Sequence, residues 1–553
     1  MRKLVSLVLA LALILCMTTT AFANGTAVTF ASDVTRVYDG YQLLELSVSL
    51  KTGDHHPATC DNTNHGDDCY NYSYTVNEDY LDILRAEAFA HASNTVWGDT
   101  FPTTADDVTE QQILDYLAEQ TSRSDNSMGT LYQVAERVYA QIITQGIDPN
   151  ANDISDTATI GQGYWIFVDD TNLEGEYMAN SLLIVDTKGQ NQLTITPKTA
   201  LPEVEKKVKD IDDTEGAQII NRPWHDSADH DIGDTVPFKL TGTLPSNIMY
   251  YSSYEITFHD TLSAGLTLND TITLNPNVEN DARPFAVYMY SSKTTADADN
   301  DMNGGTEVTN YFTWNTNPAD GCSFEVSSDG SIFQIPGITA SSVFVVYYEA
   351  TLNTSAVPGN TGNPNKVVLE FSNDPHGDST GKTPEDVVTV FTYQLDIDKI
   401  DEHGHDLAGA NFTLYKFNPA SGNYDIEVPM ADTWTETTTS FSWKGLDDGE
   451  YKLVETKVPD GFNEMEPIEF TIYAVHDTVS DDPELTLLDG DTVLGQGNLD
   501  TGIIYKEIIN QTGTVLPETG AQGTMMLIGG GTMLVMLAAI FMVTRKKMSI
   551  YED

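Results

Sequence analysis

The chain has 553 residues and a formal net charge of −56, from 83 Asp and Glu against 27 Lys and Arg. Such an acidic surface repels phosphate and excludes nucleic acid as a natural partner. A hydrophobic share of 40% is enough for packed cores rather than disorder, and the length suggests three or four domains.

Arg2-Lys3 precedes an apolar stretch from Leu4 to Cys16, and Ala21-Phe22-Ala23 has the small-x-small form of a signal-peptidase site. Residues 1–23 therefore read as a signal peptide, with a mature chain that starts at Asn24 and is exported. Export leaves Cys60, Cys69 and Cys322. Cys60 and Cys69 bracket a polar loop and can close a local disulfide in an oxidising exterior, which leaves Cys322 unpaired and buried.

Residues 24–200 read as one β-rich domain with helical insertions. Strand text at Ala27–Phe30 and Leu43–Leu50 gives way to two helical stretches. One carries Ile113, Leu114 and Leu117, and the other places Leu131, Val134, Ala135, Val138 and Ile142 on one face. Strands resume at Tyr164–Val168, at Leu182–Val185 and from Leu193 toward Pro197. On that last strand Leu193, Ile195 and Pro197 share the apolar side, so Lys198 is expected to face solvent where the first two domains join.

Residues 201–390 are nearly all strand, with runs such as Tyr254–Phe258, Val343–Tyr348 and Val367–Phe371 between Asn-, Asp- and Gly-rich turns, which suits an antiparallel sandwich. Lys206 shares a face with Val204 and Val208. Asp260 likewise shares a face with Ile256, Phe258 and Leu262. Asn365 and Asn373 both have the parity of Val367, Leu369 and Phe371, so either can face the same core, with Asn365 preferred. The cluster His225, Asp226, Asp229, His230 and Asp231 reads as a solvated acidic loop, with a metal site as the less favoured alternative. Asp297, Asp299, Asp301 and Asn303 have calcium-loop spacing, but Met302 and Val308 stand where an EF-hand needs Gly and Glu, and the match fails.

Residues 391–511 form a third, more compact β block. Leu395, Ile397 and Lys399 share one face, as do Tyr451, Leu453 and Glu455, and Asn510 closes the domain. A lone buried Lys or Glu costs several kcal/mol unless it is paired or neutralised. In an apolar site desolvation favours the neutral amine and the protonated acid. The amine can then attack the Asn carboxamide carbon while the acid polarises its oxygen and relays a proton to departing ammonia, leaving a Lys–Asn isopeptide bond. A salt-bridged Lys–Glu pair with a surface Asn is the plainer alternative.

The chain ends in residues 512–553, where Leu516-Pro517-Glu518-Thr519-Gly520 precedes an apolar run from Met525 to Val543 and then Arg545-Lys546-Lys547. The run has bilayer-spanning length, ~20 residues, and the basic cluster favours the cytoplasmic side. This order resembles the sorting signal of Gram-positive surface proteins handled by sortase.

The third block resembles the CnaB-type (SpaA-type) isopeptide domains of Gram-positive pilins and adhesins, through Leu395–Asp401, Leu407–Phe412, the segment Tyr451–Phe462 and Asn510. The middle block, with Lys206 and Asp260-Thr261-Leu262-Ser263-Ala264-Gly265-Leu266, resembles the CnaA-type domain, in which an Asp takes the acid's role. Thr196-Pro197-Lys198 resembles the pilin motif of shaft pilins, commonly Tyr-Pro-Lys-Asn, with Thr196 and Thr199 as departures.

Together these resemblances imply a mainly β chain of elongated, tandem Ig-like sandwiches that acts as the major pilin of a sortase-assembled pilus used in surface adhesion and colonisation. They imply that a pilin-type sortase joins Thr519 to Lys198 of the next identical subunit. Minor pilins, a housekeeping sortase and peptidoglycan would be the other partners, with transient membrane anchoring before cleavage; any host ligand is unspecified. The internal bonds form once and are not turned over, so no enzyme activity, cofactor or metal is expected. A monomeric wall-anchored adhesin or an accessory pilin are the alternatives.

Overall fold

The computed structural model describes residues 25–30, 36–51, 70–97, 101–121, 129–155, 157–188, 190–196, 200–211, 223–274, 283–480 and 482–513. They fall into two compact units. The first draws on Met1–Pro202, Pro245–Glu255 and Glu370–Lys382, and the second on Glu203–Leu244, Ile256–Leu369 and Thr383–Asp553.

In the first unit a three-stranded sheet runs in the order Thr157–Ile160, Thr26–Phe30, Gln192–Ile195. A second sheet orders Tyr70–Val76, Tyr38–Leu50, Gly163–Asp169 and Leu182–Asp186, with Ala151–Ile154 paired on the long strand. Val28, Phe30, Tyr38, Trp165 and Phe167 belong to one apolar cluster, and a larger cluster joins the second sheet to the helices. Helix Glu110–Ala118 starts at a reciprocal cap: the Thr109 hydroxyl accepts from the Gln112 amide, and the Gln112 side chain accepts from the Thr109 amide. Helix Gly129–Gln145 buries Val134, Ala135, Val138 and Ile142, the face its spacing predicts.

Helix Leu81–His91 was not anticipated. Its buried face includes Glu87, which breaks the apolar period; the carboxylate is held by Arg137 and by the Tyr116 hydroxyl at 2.7 Å. Buried charge that is fully paired passes for a surface position in a hydropathy pattern.

The second unit contains two sandwiches. One sheet of the first sandwich runs Trp224–His225, Val204–Lys209, Thr235–Thr243, Val343–Leu352, Phe285–Tyr290, Thr306–Glu307. Its partner sheet runs Ser227–Asp229, Asp386–Phe391, Asn363–Ser372, Ile256–Leu262, Phe324–Ser328, Phe312–Asn315. The strand expected from Tyr254 begins at Ile256; Tyr254 itself is buried ahead of it.

The second sandwich sets a three-stranded sheet, Ser440–Leu446, Tyr393–Asp401, Ile503–Asn510, against a five-stranded one, Asn423–Val428, Asn411–Asn418, Gly449–Lys457, Ile468–His476, Leu485–Asp489. Its first and last strands are parallel neighbours, with Lys399 opposite Ile508 and Asp401 opposite Asn510. Period-two alternation explains the core: Leu395, Ile397, Tyr451, Leu453, Ile504 and Ile508 all point into one cluster.

Candidate functional site

Lys206 is fully buried, whereas Lys207, one position on, pairs with Asp226 at the partly exposed side of the strand. Across the sandwich, Asp260 and Asn365 lie on adjacent strands and are equally buried. The Lys206 amine is ion-paired with Asp260 Oδ2 and donates to the Tyr348 hydroxyl at 3.0 Å. That hydroxyl in turn donates to Asp260 Oδ2 at 3.0 Å and accepts from Asn365 Nδ2 at 2.7 Å. Tyr348 thus links all three groups.

The surroundings are aromatic. Tyr348 stacks on Phe238 with centroids 5.3 Å apart, and Phe324 meets it edge-on at 4.8 Å. Burial pushes the Lys206 amine down to about 8 against the pull of Asp260, and pushes the Asp260 carboxyl up against the pull of Lys206. Both shifts favour a neutral amine beside a protonated acid, the state needed for attack on a carboxamide. Burial also holds Tyr348 well above the ordinary phenol range, so its hydroxyl keeps its proton.

In the third domain Lys399 is fully buried, and its amine donates to the Ile508 carbonyl at 3.1 Å and the Ile400 carbonyl at 3.3 Å. Asn510, two residues beyond Ile508 on the neighbouring strand, donates from Nδ2 to Glu455 Oε1 at 2.8 Å. Glu455 reaches in from the opposite sheet, and its Oε2 accepts from the Met465 amide at 3.0 Å. Burial pushes the Lys399 amine down to about 8, opposed by the Glu455 charge.

Within these two sites, three buried side-chain oxygens have no hydrogen-bond partner: Asp260 Oδ1, Asn365 Oδ1 and Asn510 Oδ1. An unsatisfied buried carbonyl costs about 1–3 kcal/mol. A half-turn of either carboxamide exchanges its oxygen with its nitrogen. In the third domain that turn presents the Asn510 oxygen to Glu455, and in the middle domain it presents the Asn365 oxygen to the Tyr348 hydroxyl.

A family described as SpaA, prealbumin-like fold domain, matches residues 393–483, and an LPXTG cell wall anchor motif matches residues 508–549. The chain carries a SpaA-type domain and a cell wall anchor. It is thereby a wall-anchored surface protein of the Gram-positive kind. It is 27% identical over 367 residues to the trypsin-resistant surface T6 protein of Streptococcus pyogenes serotype M6, an alignment that spans 61% of this chain and 60% of that relative. Among solved structures it is similar to the T6 backbone pilin of the same serotype, with TM-score 0.47 and 17% identity over 90% of this chain and 100% of that one. It is also similar to the full-length major pilin SpaD of Corynebacterium diphtheriae, with TM-score 0.38 and 16% identity over 66% and 86%.

Asn373, the second choice for the middle domain, is equally buried but belongs to the first unit, where Nδ2 donates to the Leu173 carbonyl at 2.8 Å and Oδ1 accepts from Ser379 at 2.6 Å. Strand parity put it inward correctly and could not say which core it enters. The expected solvated loop at 225–231 is overturned: Asp226, Asp229 and His230 are buried. Ser227–Asp229 forms a strand parallel to Asp386–Phe391, and Asp229 accepts from the Tyr393 hydroxyl at 2.9 Å. Asp299 acts as a turn clamp, its carboxylate taken up by the amides of Asp301, Asn303 and Gly304 and by the Tyr290 hydroxyl. Cys322 is only half-buried, with its thiol pushed up to about 12 by burial and by Asp320. Lys198, Cys60, Cys69, the segment Leu516–Gly520 and the apolar run Met525–Val543 lie outside the described residues. Tyr348 is the residue that sequence reasoning missed. It has inward strand parity, but nothing marks a core tyrosine as a proton-holding bridge until its neighbours are known.

Proposed function

We propose that this chain is the shaft subunit of a covalently polymerised pilus, stabilised by Lys206–Asn365 and Lys399–Asn510 isopeptide bonds made with Asp260 and Glu455 as the acids. The observation that carries the reading is the pair of buried lysines, each in a site with a carboxyl group and a carboxamide, within a chain that ends in a wall-anchor motif. In the proposed assembly a pilin sortase forms an acyl link at Thr519, releases Gly520 onward, and passes the acyl group to Lys198 of another subunit. A housekeeping sortase transfers the finished polymer to peptidoglycan. Domains 24–200, 201–390 and 391–511 are the modules of this subunit.

Co-expression with a pilin sortase should give a ladder of large, detergent-resistant species. Lys198→Ala should abolish the ladder yet leave monomer anchored through Thr519. Replacing Thr519 and Gly520 should abolish both. A wild type that stays monomeric under these conditions would make the chain an anchored adhesin instead.

A further inference from the structure

Within the second unit, the two sandwiches meet at a lysine and two aspartates that neither isopeptide site uses. Lys416, on strand Asn411–Asn418 of the third domain, is almost completely buried and ion-paired with Asp231 of the middle sandwich. Its amine also lies 3.9 Å from Asp447 Oδ2. Asp447 is fully buried; its Oδ1 accepts from the Asp448 amide at 2.9 Å, and its Oδ2 has no hydrogen-bond partner. The Asp447 amide donates to Asp231 Oδ1 at 2.9 Å, and the Tyr451 hydroxyl lies 3.4 Å from the same oxygen, so the Asp231 carboxyl is held beside the amine.

One amine faces two carboxyl groups here, with Asp229, Asp234 and Asp448 also near. Around the buried Lys416 and Asp447 a surplus negative charge is costly. Burial and the Asp229 charge push the Asp447 carboxyl well above the ordinary range, with Lys416 opposing. A protonated acid, an amine and a second carboxyl in contact are the components of an amide condensation.

We propose that Lys416 and Asp231 form an amide between the middle and third domains, with Asp447 relaying the proton. The neutral Lys416 amine attacks Cγ of the Asp231 carboxyl in its acid form. A C–N bond forms, the C–O bond breaks, and the departing hydroxyl takes the Asp447 proton and leaves as water. The surplus amine proton returns to Asp447, so the relay is regenerated and no oxidant or cofactor is consumed. On the pilus reading, tension would pass from Lys206 to Asn365, along the chain to Lys399, and on to Asn510. The new amide would set a second covalent path, from Lys206 through Asp231 and Lys416 to Lys399, in parallel with the stretch between Asn365 and Lys399.

Proteolysis of the whole mature protein followed by tandem mass spectrometry tests this. A linked peptide pair joining Lys416 to Asp231 with loss of one water is expected. The in-domain bonds are different peptides that each lose ammonia, so either result can be read without the other. Asp447→Ala should remove the linked pair, and so should Lys416→Arg, which keeps the cation but cannot make this amide; intact in-domain linkages would certify that both variants fold. Wild-type peptides of Lys416 and Asp231 recovered only in unlinked form would overturn the proposal, and a link that survives in Asp447→Ala would overturn the role of that residue.

Discussion

The two lysine sites of the second unit solve one burial problem in different ways. Lys206 depends on side chains: Asp260 and the Tyr348 hydroxyl take its amine, and the carboxamide of Asn365 is joined to them through the same hydroxyl. Lys399 depends on the backbone: two carbonyls take the amine, while Glu455 is occupied by Asn510 and the Met465 amide. In the first site the acid lies on the nucleophile, and in the second it lies on the electrophile. Removing the acid should therefore injure the two sites unequally, even though it would prevent both proposed bonds.

The largest expected effect is that of Asp260→Ala. It should abolish the Lys206–Asn365 ammonia loss and also strip a buried lysine of its ionic partner, a further penalty of about 3–5 kcal/mol. Glu455→Ala should abolish the Lys399–Asn510 ammonia loss but leave the amine on its carbonyls, so the added penalty is that of lost hydrogen bonds, about 1–3 kcal/mol. The bond-less references are Asn365→Ala and Asn510→Ala. The loops that the two proposed bonds would close differ in length by less than a factor of two, worth under about 0.6 kcal/mol, so loop entropy cannot produce the contrast. Thermal midpoints of the four variants measure it; equal penalties at the two sites would show that the hydrogen-bond difference has no energetic weight.

Much of this contrast was out of reach of the sequence. Period-two alternation placed Lys206, Asp260, Asn365, Lys399 and Glu455 inward, and all five are buried, as is Asn510, which was singled out only as closing its domain. Alternation is a local property, since a strand that puts one residue inward puts its second neighbour inward too. It is silent on which core receives a residue, hence the ambiguity between Asn365 near the start of strand Asn363–Ser372 and Asn373 just past its end. It is equally silent where charges bury themselves in pairs: Glu87 hid a helix, and Asp229 and His230 passed for a solvated loop because their partners Tyr393 and Lys209 are distant in the chain.

pH should sharpen the likeness between the sites. Both amines are pushed down to about 8 by burial, so below that value each unit of acidification should lower the neutral fraction, and the rate of bond formation, about tenfold. Above it the rate should level off. An unperturbed lysine would instead keep gaining up to about pH 10.4. Mass spectrometry of freshly translated protein, chased at a series of pH values, distinguishes the two profiles. A continued rise past pH 9 at either site would mean that its amine is not desolvated before reaction.

Tyr348→Phe should separate the sites again, by a smaller margin. The ring and its stacking on Phe238 are kept, and only the hydroxyl that joins Lys206, Asp260 and Asn365 is lost. A hydrogen bond of about 1–1.5 kcal/mol corresponds to roughly tenfold in rate, so the middle bond should form about tenfold more slowly while the third-domain bond is unchanged. Unaltered kinetics in the middle domain would reduce Tyr348 to a packing residue.

The smallest effect should come from Asn373→Ala, and its value lies in what it leaves intact. Asn373 donates to the Leu173 carbonyl and accepts from Ser379, both within the first unit, so its loss exposes two unmet partners at a cost of about 1–3 kcal/mol confined to that unit. The Lys206 cross-link should persist in Asn373→Ala and vanish in Asn365→Ala, since only Asn365 reaches the Tyr348 hydroxyl that also holds Lys206. Peptide mapping of the two variants separates residues that strand parity treats as equal. A cross-link lost in Asn373→Ala and kept in Asn365→Ala would mean that the strand Asn363–Ser372 enters the reactive state in a different position from the one it occupies here.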